Sequence, residues 1–147
     1  MTLKEQLTDA MKTAMKARDN LRLSAVRMVL SALKNREIEQ KKELDDQGVI
    51  ELISTLTKQR RESIRLYQEG NRPELAEKEE AELNILLGFL PAQLSLTEIN
   101  ELVDRIVREI GAEGVKDLGR VMKAVTPLTA GKADGKAVSD AVRSRLT

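Results

Sequence analysis

The amino-acid sequence predicts an all-α protein in two parts: an N-terminal helical domain of about four helices (residues 1–90) and a smaller C-terminal three-helix domain (residues 91–147). Apolar residues recur every three or four positions along most of the chain, which is the period of a helix buried on one side. The chain has one tyrosine and one phenylalanine among its 147 residues. Its core must therefore be aliphatic, a composition that favours packed helices over sheets.

Four helices are predicted before residue 90. The first begins at a capping box opened by Thr2 and runs to about residue 18. The second covers about residues 21–42, and the third about residues 49–70. The fourth starts at Pro73, which suits the first turn of a helix. Its carboxylates are predicted to lie largely outside: Glu74, Glu77, Glu79, Glu80 and Glu82.

Three further helices are predicted after residue 91. The segment Ser95-Leu96-Thr97-Glu98 is a second capping box, and the helix that it opens stops at Gly111. Asp117 is predicted to cap a short helix that Pro127 terminates. Asp134 is predicted to cap the last one.

The segment of residues 88–95 separates the two parts. Phe89 and Leu90 are apolar and spaced to pack, and Pro91 restricts the backbone. We therefore expect an ordered connector with Phe89 and Leu90 largely buried, which sets the direction of the C-terminal part.

Composition excludes several kinds of site. The chain has no cysteine and no histidine, so it has no disulfide, no thiolate metal site and no histidine base. The acidic run of residues 74–82 is typical of a solvated helix face, so we predict no catalytic residue, no metal site and no cofactor. Without a long apolar run or a signal-peptide pattern, no membrane partner is expected, and the predicted location is cytoplasmic.

Charge is distributed unevenly along the chain. Residues 1–90 hold sixteen basic and sixteen acidic residues, whereas residues 115–147 hold seven basic and three acidic ones, a surplus of +4. Glycines and cations combine there at the starts of two predicted helices, where free backbone N–H groups can donate hydrogen bonds to phosphate oxygens. The candidate RNA-binding residues are Gly119, Arg120, Lys123, Lys132, Gly135 and Lys136.

Capping and turn geometry explain these glycines about as well as ligand contact does. The segment lacks the preceding strand and the Gly-Lys-Ser/Thr ending of a nucleotide-binding loop. Because the chain has only two aromatic residues, RNA would be contacted through its folded backbone and not by base stacking. A secondary basic stripe consists of Arg60, Arg61 and Arg65, for which ion pairing with Glu62 and Glu69 at helical spacing is the alternative.

Three segments carry a family resemblance: residues 24–28 (Ser-Ala-Val-Arg-Met), residues 59–95, and residues 117–122 together with 131–136. In this order they resemble the YqeY-like proteins of the GatB/YqeY group. That group is related to the C-terminal tail domain of the GatB component of the glutamine-dependent aspartyl/glutamyl-tRNA amidotransferase. The resemblance covers nearly the whole chain and implies an all-helical fold with a three-helix C-terminal domain.

The resemblance also implies a connection to tRNA. The related tail is thought to recognise the outer corner of tRNA, and the family-level label is carbon–nitrogen ligase activity with glutamine as amido-N-donor. This chain has no room for the two catalytic centres of that enzyme, so we predict no catalytic activity of its own. Family members often carry lysines where this chain has Leu128, Thr129 and Ala130, which lowers the local positive charge here.

Three functional hypotheses follow. The leading one is a tRNA-associated accessory protein, with tRNA as its partner and with amidotransferase subunits or other translation proteins as further partners. The alternative is a protein–protein interaction module without RNA binding, which would use the arginine stripe, the acidic face of helix four or the groove beside Phe89. The least favoured is an autonomous amidotransferase.

Overall fold

The computed structural model describes residues 1–147 and contains helices without any strand, which confirms the predicted all-α class. Its seven α-helices are α1 (Leu3–Ala17), α2 (Asn20–Gln40), α3 (Asp46–Glu69), α4 (Pro73–Leu87), α5 (Leu96–Ile110), α6 (Leu118–Thr129) and α7 (Gly135–Leu146). A 3₁₀ turn, Val115–Asp117, directly precedes α6. The chain divides into an N-terminal unit, Met1–Leu90, and a C-terminal unit, Pro91–Thr147.

Helices α2 and α3 each pack against the other three helices of the N-terminal unit, and the most extensive pairings are α3 with α4 and α1 with α2. The apolar sides of the four helices meet in one aliphatic core, whose most enclosed members include Leu7, Val26, Val29, Ile53 and Leu86. At the ends of the helices, Asp45 accepts a hydrogen bond from the Gly48 N–H and thereby caps α3. The Leu3 N–H donates to Asp46 at 3.0 Å, which ties the start of α1 to the start of α3.

Two acidic residues of α4 lie inside the N-terminal unit, so the prediction that this helix turns its carboxylates outward is wrong for them. Glu82 is only 8% exposed. The guanidinium of Arg60 on α3 contacts Glu79 at 2.7 Å and Glu82 at 3.0 Å. A partly buried cation compensates the desolvation of the carboxylates, and this is the condition under which glutamate enters an interior.

The C-terminal unit is built on a smaller core rich in valine. Helices α5, α6 and α7 all contact one another, and their enclosed residues include Val103, Val121, Val125, Val138 and Val142. The predicted capping box is confirmed: the Glu98 N–H donates to Ser95 Oγ at 3.1 Å, and the Ser95 N–H donates to the Glu98 carboxylate at 3.0 Å. Helix α5 ends at Ile110 and is capped by Gly111, which adopts the left-handed conformation.

Two predictions for α6 are wrong. Pro127 does not terminate the helix but lies inside it, shortly before its last residue, Thr129. Only one intrahelical hydrogen bond is lost there, and Thr126 and Thr129 donate their hydroxyls to backbone carbonyls of the preceding turn. Asp117 precedes α6 but forms no side-chain cap, because its carboxylate accepts a hydrogen bond from the Glu113 N–H at 2.9 Å.

Residues 88–91, which follow α4, form turns and bends, and residues 92–95 lead without regular structure to α5. Phe89 and Leu90 pack against the core of the N-terminal unit, but both are half-buried and not largely buried as predicted. The Phe89 ring lies 5.6 Å from the guanidinium of Arg22, a cation–π contact that needs the ring face to stay accessible from one side.

Candidate nucleic-acid interface

The structure places all six candidate residues of the C-terminal unit at the surface. Gly119 and Arg120 lie in the first turn of α6, and Lys123 follows one turn later. Lys132 belongs to the connection between α6 and α7. Gly135 and Lys136 lie in the first turn of α7.

The packing of α6 and α7 divides these residues into two groups. The helices contact one another, and α7 also contacts the 3₁₀ turn that precedes α6, so α7 runs back along α6. Arg120 lies in the first turn of α6, about 14 Å along the helix axis from the last residue. The structure therefore brings Lys132 and Lys136 together near one end of this hairpin and leaves Arg120 toward the other.

The two groups differ in their charge partners. Arg120 lies 3.6 Å from the carboxylate of Asp117 and donates to the Ile110 carbonyl at 3.4 Å. Lys123, Lys132 and Lys136 form no ion pair. The three lysines are therefore the members of the candidate set whose charge is available to an anion.

Asp117 makes the start of α6 a poor place for a phosphate. The hydrogen bond from the Glu113 N–H, followed by the charges of Arg120 and Lys116, holds the pKa of Asp117 below its ordinary value. The carboxylate is thus charged at neutral pH beside the free N–H groups of the helix terminus. It would repel a phosphate approaching Gly119. At the other end of the hairpin one carboxylate, Asp134, lies between Lys132 and Lys136, which leaves a positive surplus there.

The backbone around Lys132 is held by contacts that the sequence did not indicate. The Leu94 N–H donates to the Lys132 carbonyl at 2.8 Å, and Gln93 Nε2 donates to the Gly131 carbonyl at 2.8 Å. The Lys132 N–H itself donates to the Thr129 carbonyl at 2.9 Å. Gly131 is buried and has φ +74°, a conformation in which glycine is strongly preferred. The turn thus fixes the point from which the Lys132 side chain extends into solvent.

Arg143 is a further available cation that the candidate set omits. It is exposed, forms no ion pair, and lies two turns after Lys136. These two turns of α7 place the pair about 10 Å apart along the same helix face. Asp140 lies between them and is ion-paired to neither. The spacing of two helical turns is the sequence signal that would have identified Arg143.

The secondary stripe of α3 is engaged in ion pairs. Arg60 is held by the two glutamates of α4. Arg65 pairs with Glu62 and with Glu69, as in the alternative interpretation, and these hydrogen bonds raise its pKa. Arg61 is half-buried and also has a partner. The stripe is therefore largely neutralised by the protein's own carboxylates.

The placement of the acidic residues and the character of the helices bear on two other kinds of site. No group of three or more Asp or Glu residues is arranged so as to hold a metal ion. No helix has both the length and the apolar character needed to cross a membrane.

Comparison with known proteins gives relatives along much of the chain. Proteins named "Altered inheritance of mitochondria protein 41, mitochondrial" are 40% identical in Lachancea thermotolerans, over 68% of this chain and 55% of that protein. The protein of that name in Kluyveromyces lactis is 38% identical, over 69% of this chain and 55% of that protein. The one in Eremothecium gossypii is 31% identical, over 95% of this chain and 78% of that protein. The match thus covers only about half the length of the first two relatives.

These relatives contradict the prediction of a cytoplasmic location, because each of them is named a mitochondrial protein. The prediction rests on the lack of a long apolar run and of a signal-peptide pattern. Neither property distinguishes the cytosol from the interior of a mitochondrion.

A family model described as "Yqey-like protein" matches residues 4–146, which is nearly the whole chain and includes both units. The YqeY domain is related to the C-terminal tail of GatB. The chain belongs to the YqeY-like family.

Proposed function

We propose that this protein binds tRNA as an accessory factor, through the backbone phosphates and without catalysing a reaction. The contact surface is the end of the α6–α7 hairpin that carries Lys132 and Lys136, extended by Lys123 and Arg143. Family membership supports this proposal, because the related tail domain belongs to an enzyme that acts on aminoacyl-tRNA.

The observation that carries the proposal is the set of exposed lysines without ion-pair partners. In a protein in which 33% of the residues are charged, a surface cation can be neutralised by a carboxylate at helical spacing. Lys123, Lys132 and Lys136 form no such ion pair, although Asp140 lies one turn after Lys136. Their charges are free to replace the counterions that RNA phosphates otherwise hold, which is the main driving force of backbone binding.

The fixed turn at Lys132 adds a geometric argument. A lysine on a flexible loop loses conformational freedom of backbone and side chain on binding, whereas here the backbone is already ordered by the bonds from Gln93 and Leu94. Phosphate contacts of this kind position a protein on a folded RNA without reading its sequence.

A pair of charge-reversal variants tests the proposal. Lys132→Glu/Lys136→Glu removes two of the proposed contacts, and Lys42→Glu/Lys78→Glu makes the same change in net charge at two exposed lysines of the N-terminal unit. Titrated with unfractionated tRNA at low salt, the first variant should bind at least about tenfold more weakly than the control, with a salt slope shallower by about 1.4 to 1.8. Equal affinities of the two variants would refute the proposed surface.

The competing proposal is a protein-interaction module. Its supporting observation is a groove of about 470 Å³ in the C-terminal unit, lined by Leu94, Leu102 and Leu128 together with charged residues. Co-purification from a lysate with and without RNase separates the two functions. Partners bridged by RNA are lost on digestion, whereas partners bound in the groove are retained.

A further inference from the structure

The basic and acidic residues of the N-terminal unit lie in different parts of its sequence, although its net charge is zero. Residues 10–36 contain seven basic residues and one acidic residue, whereas residues 37–90 contain eight basic and thirteen acidic ones. The first segment comprises most of α1 and α2, and the second includes α3 and α4. The first segment therefore has a positive surplus of +6, which exceeds the surplus of +4 in residues 115–147. The seven cations are Lys12, Lys16, Arg18, Arg22, Arg27, Lys34 and Arg36.

Two of the carboxylates close to this segment in sequence, Asp19 and Glu37, are already engaged, whereas Asp9 and Glu39 are exposed on either side of it. Asp19 accepts a hydrogen bond from the Arg22 N–H at 3.1 Å and caps α2. Glu37, one turn after Lys34, accepts from Lys4 Nζ and from the Leu44 N–H. None of the seven cations forms an ion pair within the protein.

Helix α2 exposes a single line of side chains between residues 22 and 37. We call Ser24, Arg27, Ser31 and Lys34 the α2 stripe; all four are exposed, and Asn35 lies beside them. Their spacings of three, four and three residues place them on one helix face over about 15 Å. The remaining sides of α2 are covered by α1, α3 and α4. Ser24 and Arg27 belong to the first segment of the family resemblance, which the proposed function does not use.

The chemistry of the α2 stripe matches a polyanion that accepts hydrogen bonds. Arg27 and Lys34 lie about 10 Å apart along the helix, and each is adjacent to a serine one turn away. The short serine side chains allow a strand to approach the helix closely, and their hydroxyls are donors to phosphate oxygens. The stripe contains no carboxylate that would repel such a strand.

We propose that the α2 stripe binds the phosphate backbone of RNA, as a second contact surface on the N-terminal unit. An anionic membrane is the weaker match, because a helix that lies on a bilayer inserts apolar side chains between its cations. Here the position of the α2 stripe between the two cations is a serine, Ser31. The proposed ligand, RNA, is the same as in the proposed function, but the surface is a different one from the C-terminal surface. Either surface can therefore be refuted without the other.

Four forms of the full chain test the inference in one titration with unfractionated tRNA. They are the wild type, the stripe variant Arg27→Glu/Lys34→Glu, the C-terminal variant Lys132→Glu/Lys136→Glu and the control Lys42→Glu/Lys78→Glu. The stripe variant should bind about tenfold more weakly than the control, and its salt slope should be shallower by about 1.4 to 1.8. Circular dichroism checks the fold, and Arg27→Gln/Lys34→Gln, which keeps good helix formers, replaces the stripe variant if reversal reduces helicity.

The outcomes separate the two proposals. A stripe variant that binds tRNA like the control overturns the inference, and if the C-terminal variant is weak the proposed function still stands. A weak stripe variant beside a C-terminal variant that equals the control supports the inference alone. Vesicles containing phosphatidylserine form a parallel arm: loss of vesicle binding in the stripe variant with unchanged tRNA affinity would assign the surface to lipid and overturn the inference.

Discussion

The two units carry almost the same net charge but use their charged groups differently. The N-terminal unit has sixteen basic and sixteen acidic residues, which leaves nine and eight of the chain's 25 and 24 for the C-terminal unit. In the N-terminal unit, ion pairs connect different helices, as Arg60 does with Glu79 and Glu82. In the C-terminal unit the pair that connects two helices, Arg145 with Asp104, lies at the surface, and the unit is held by a valine-rich core, a capping box and backbone hydrogen bonds to the turn at Lys132.

This difference shows why the net charge of a region is a poor guide to its binding surface. Arg60 and Lys132 contribute the same charge, yet Arg60 is part of the packing of its unit, whereas Lys132 has no ion-pair partner in the protein. The available charge is what remains after the internal pairs are formed. That remainder includes the cations of α1 and α2 in one unit and those near the α6–α7 connection in the other.

The largest effect is expected from removing the inter-helix cation of the N-terminal unit. Arg60→Met leaves Glu82 buried without its partner and should lower the free energy of unfolding by about 3 kcal/mol, because breaking a buried pair strands a charge. The measurement is urea denaturation followed by circular dichroism. Arg65→Met is the matched control, since Arg65 pairs only at the surface and its loss should change stability little. Similar losses in both variants would contradict the distinction.

The next effect concerns the turn that holds Lys132. Gly131→Ala places a Cβ at φ +74° and should cost about 1 to 2 kcal/mol of stability. Gly119→Ala is the control, because a Cβ there meets nothing within 4 Å and the backbone is helical. That change should be neutral or stabilising in urea denaturation. If alanine at 131 were tolerated as well as at 119, the turn at Lys132 would not be rigid.

The capping box of α5 should give a smaller effect. Ser95→Ala removes the acceptor of the Glu98 N–H and should reduce stability by about 1 kcal/mol. Thr2→Ala removes the corresponding acceptor at the start of α1, where the Glu5 N–H donates at 3.2 Å. Thermal melts of both variants compare the units directly. We expect the greater loss of stability in Ser95→Ala. A greater loss in Thr2→Ala would contradict this, because it would show that capping stabilises the N-terminal unit more than the C-terminal one.

The smallest effect is a dependence on acid pH. The hydrogen bond from Lys4, and then that from the Leu44 N–H, lowers the pKa of Glu37. Its stabilisation is therefore present above the ordinary glutamate pKa of about 4.3 and is lost as pH falls through the lower folded-state value. At pH values below about 4.3 the melting temperature of the wild type should decrease as the pH is lowered. The melting temperature of Glu37→Gln should decrease less over the same range. If the melting temperatures of the wild type and of Glu37→Gln decrease in parallel, Glu37 does not contribute to the loss of stability in acid.

The helices were predictable from the sequence because their signals are local. Apolar spacing and the capping box of Ser95 and Glu98 act within one or two turns, and the structure confirms them. The burial of Glu82 was not predictable, because it depends on Arg60, which lies on another helix. Pro127 illustrates a different limit. The residue before a proline avoids the helical conformation in general, but near the end of α6 the packing of Val121 and Val125 outweighs this preference.

The candidate site was predictable only in part for the same reason. Lysines near helix starts can be read from the sequence, and their exposure follows from the position of the apolar stripe. The pinning of Lys132 by Gln93 and Leu94 joins segments 38 residues apart and leaves no local pattern. The engagement of Asp117 by the Glu113 N–H likewise depends on the fold of the 3₁₀ turn. That each unit folds as an independent domain stays a prediction.

Binding of the tRNA backbone by cations without protein partners is tested most directly by the salt dependence of the wild-type affinity. Unfractionated tRNA is titrated against the full chain at two salt concentrations. We expect measurable binding at low salt, and a logarithm of the association constant that falls by about 0.7 to 0.9 per phosphate contacted for each tenfold rise in salt. No binding at low salt, or an affinity that salt does not change, would contradict this mode of binding.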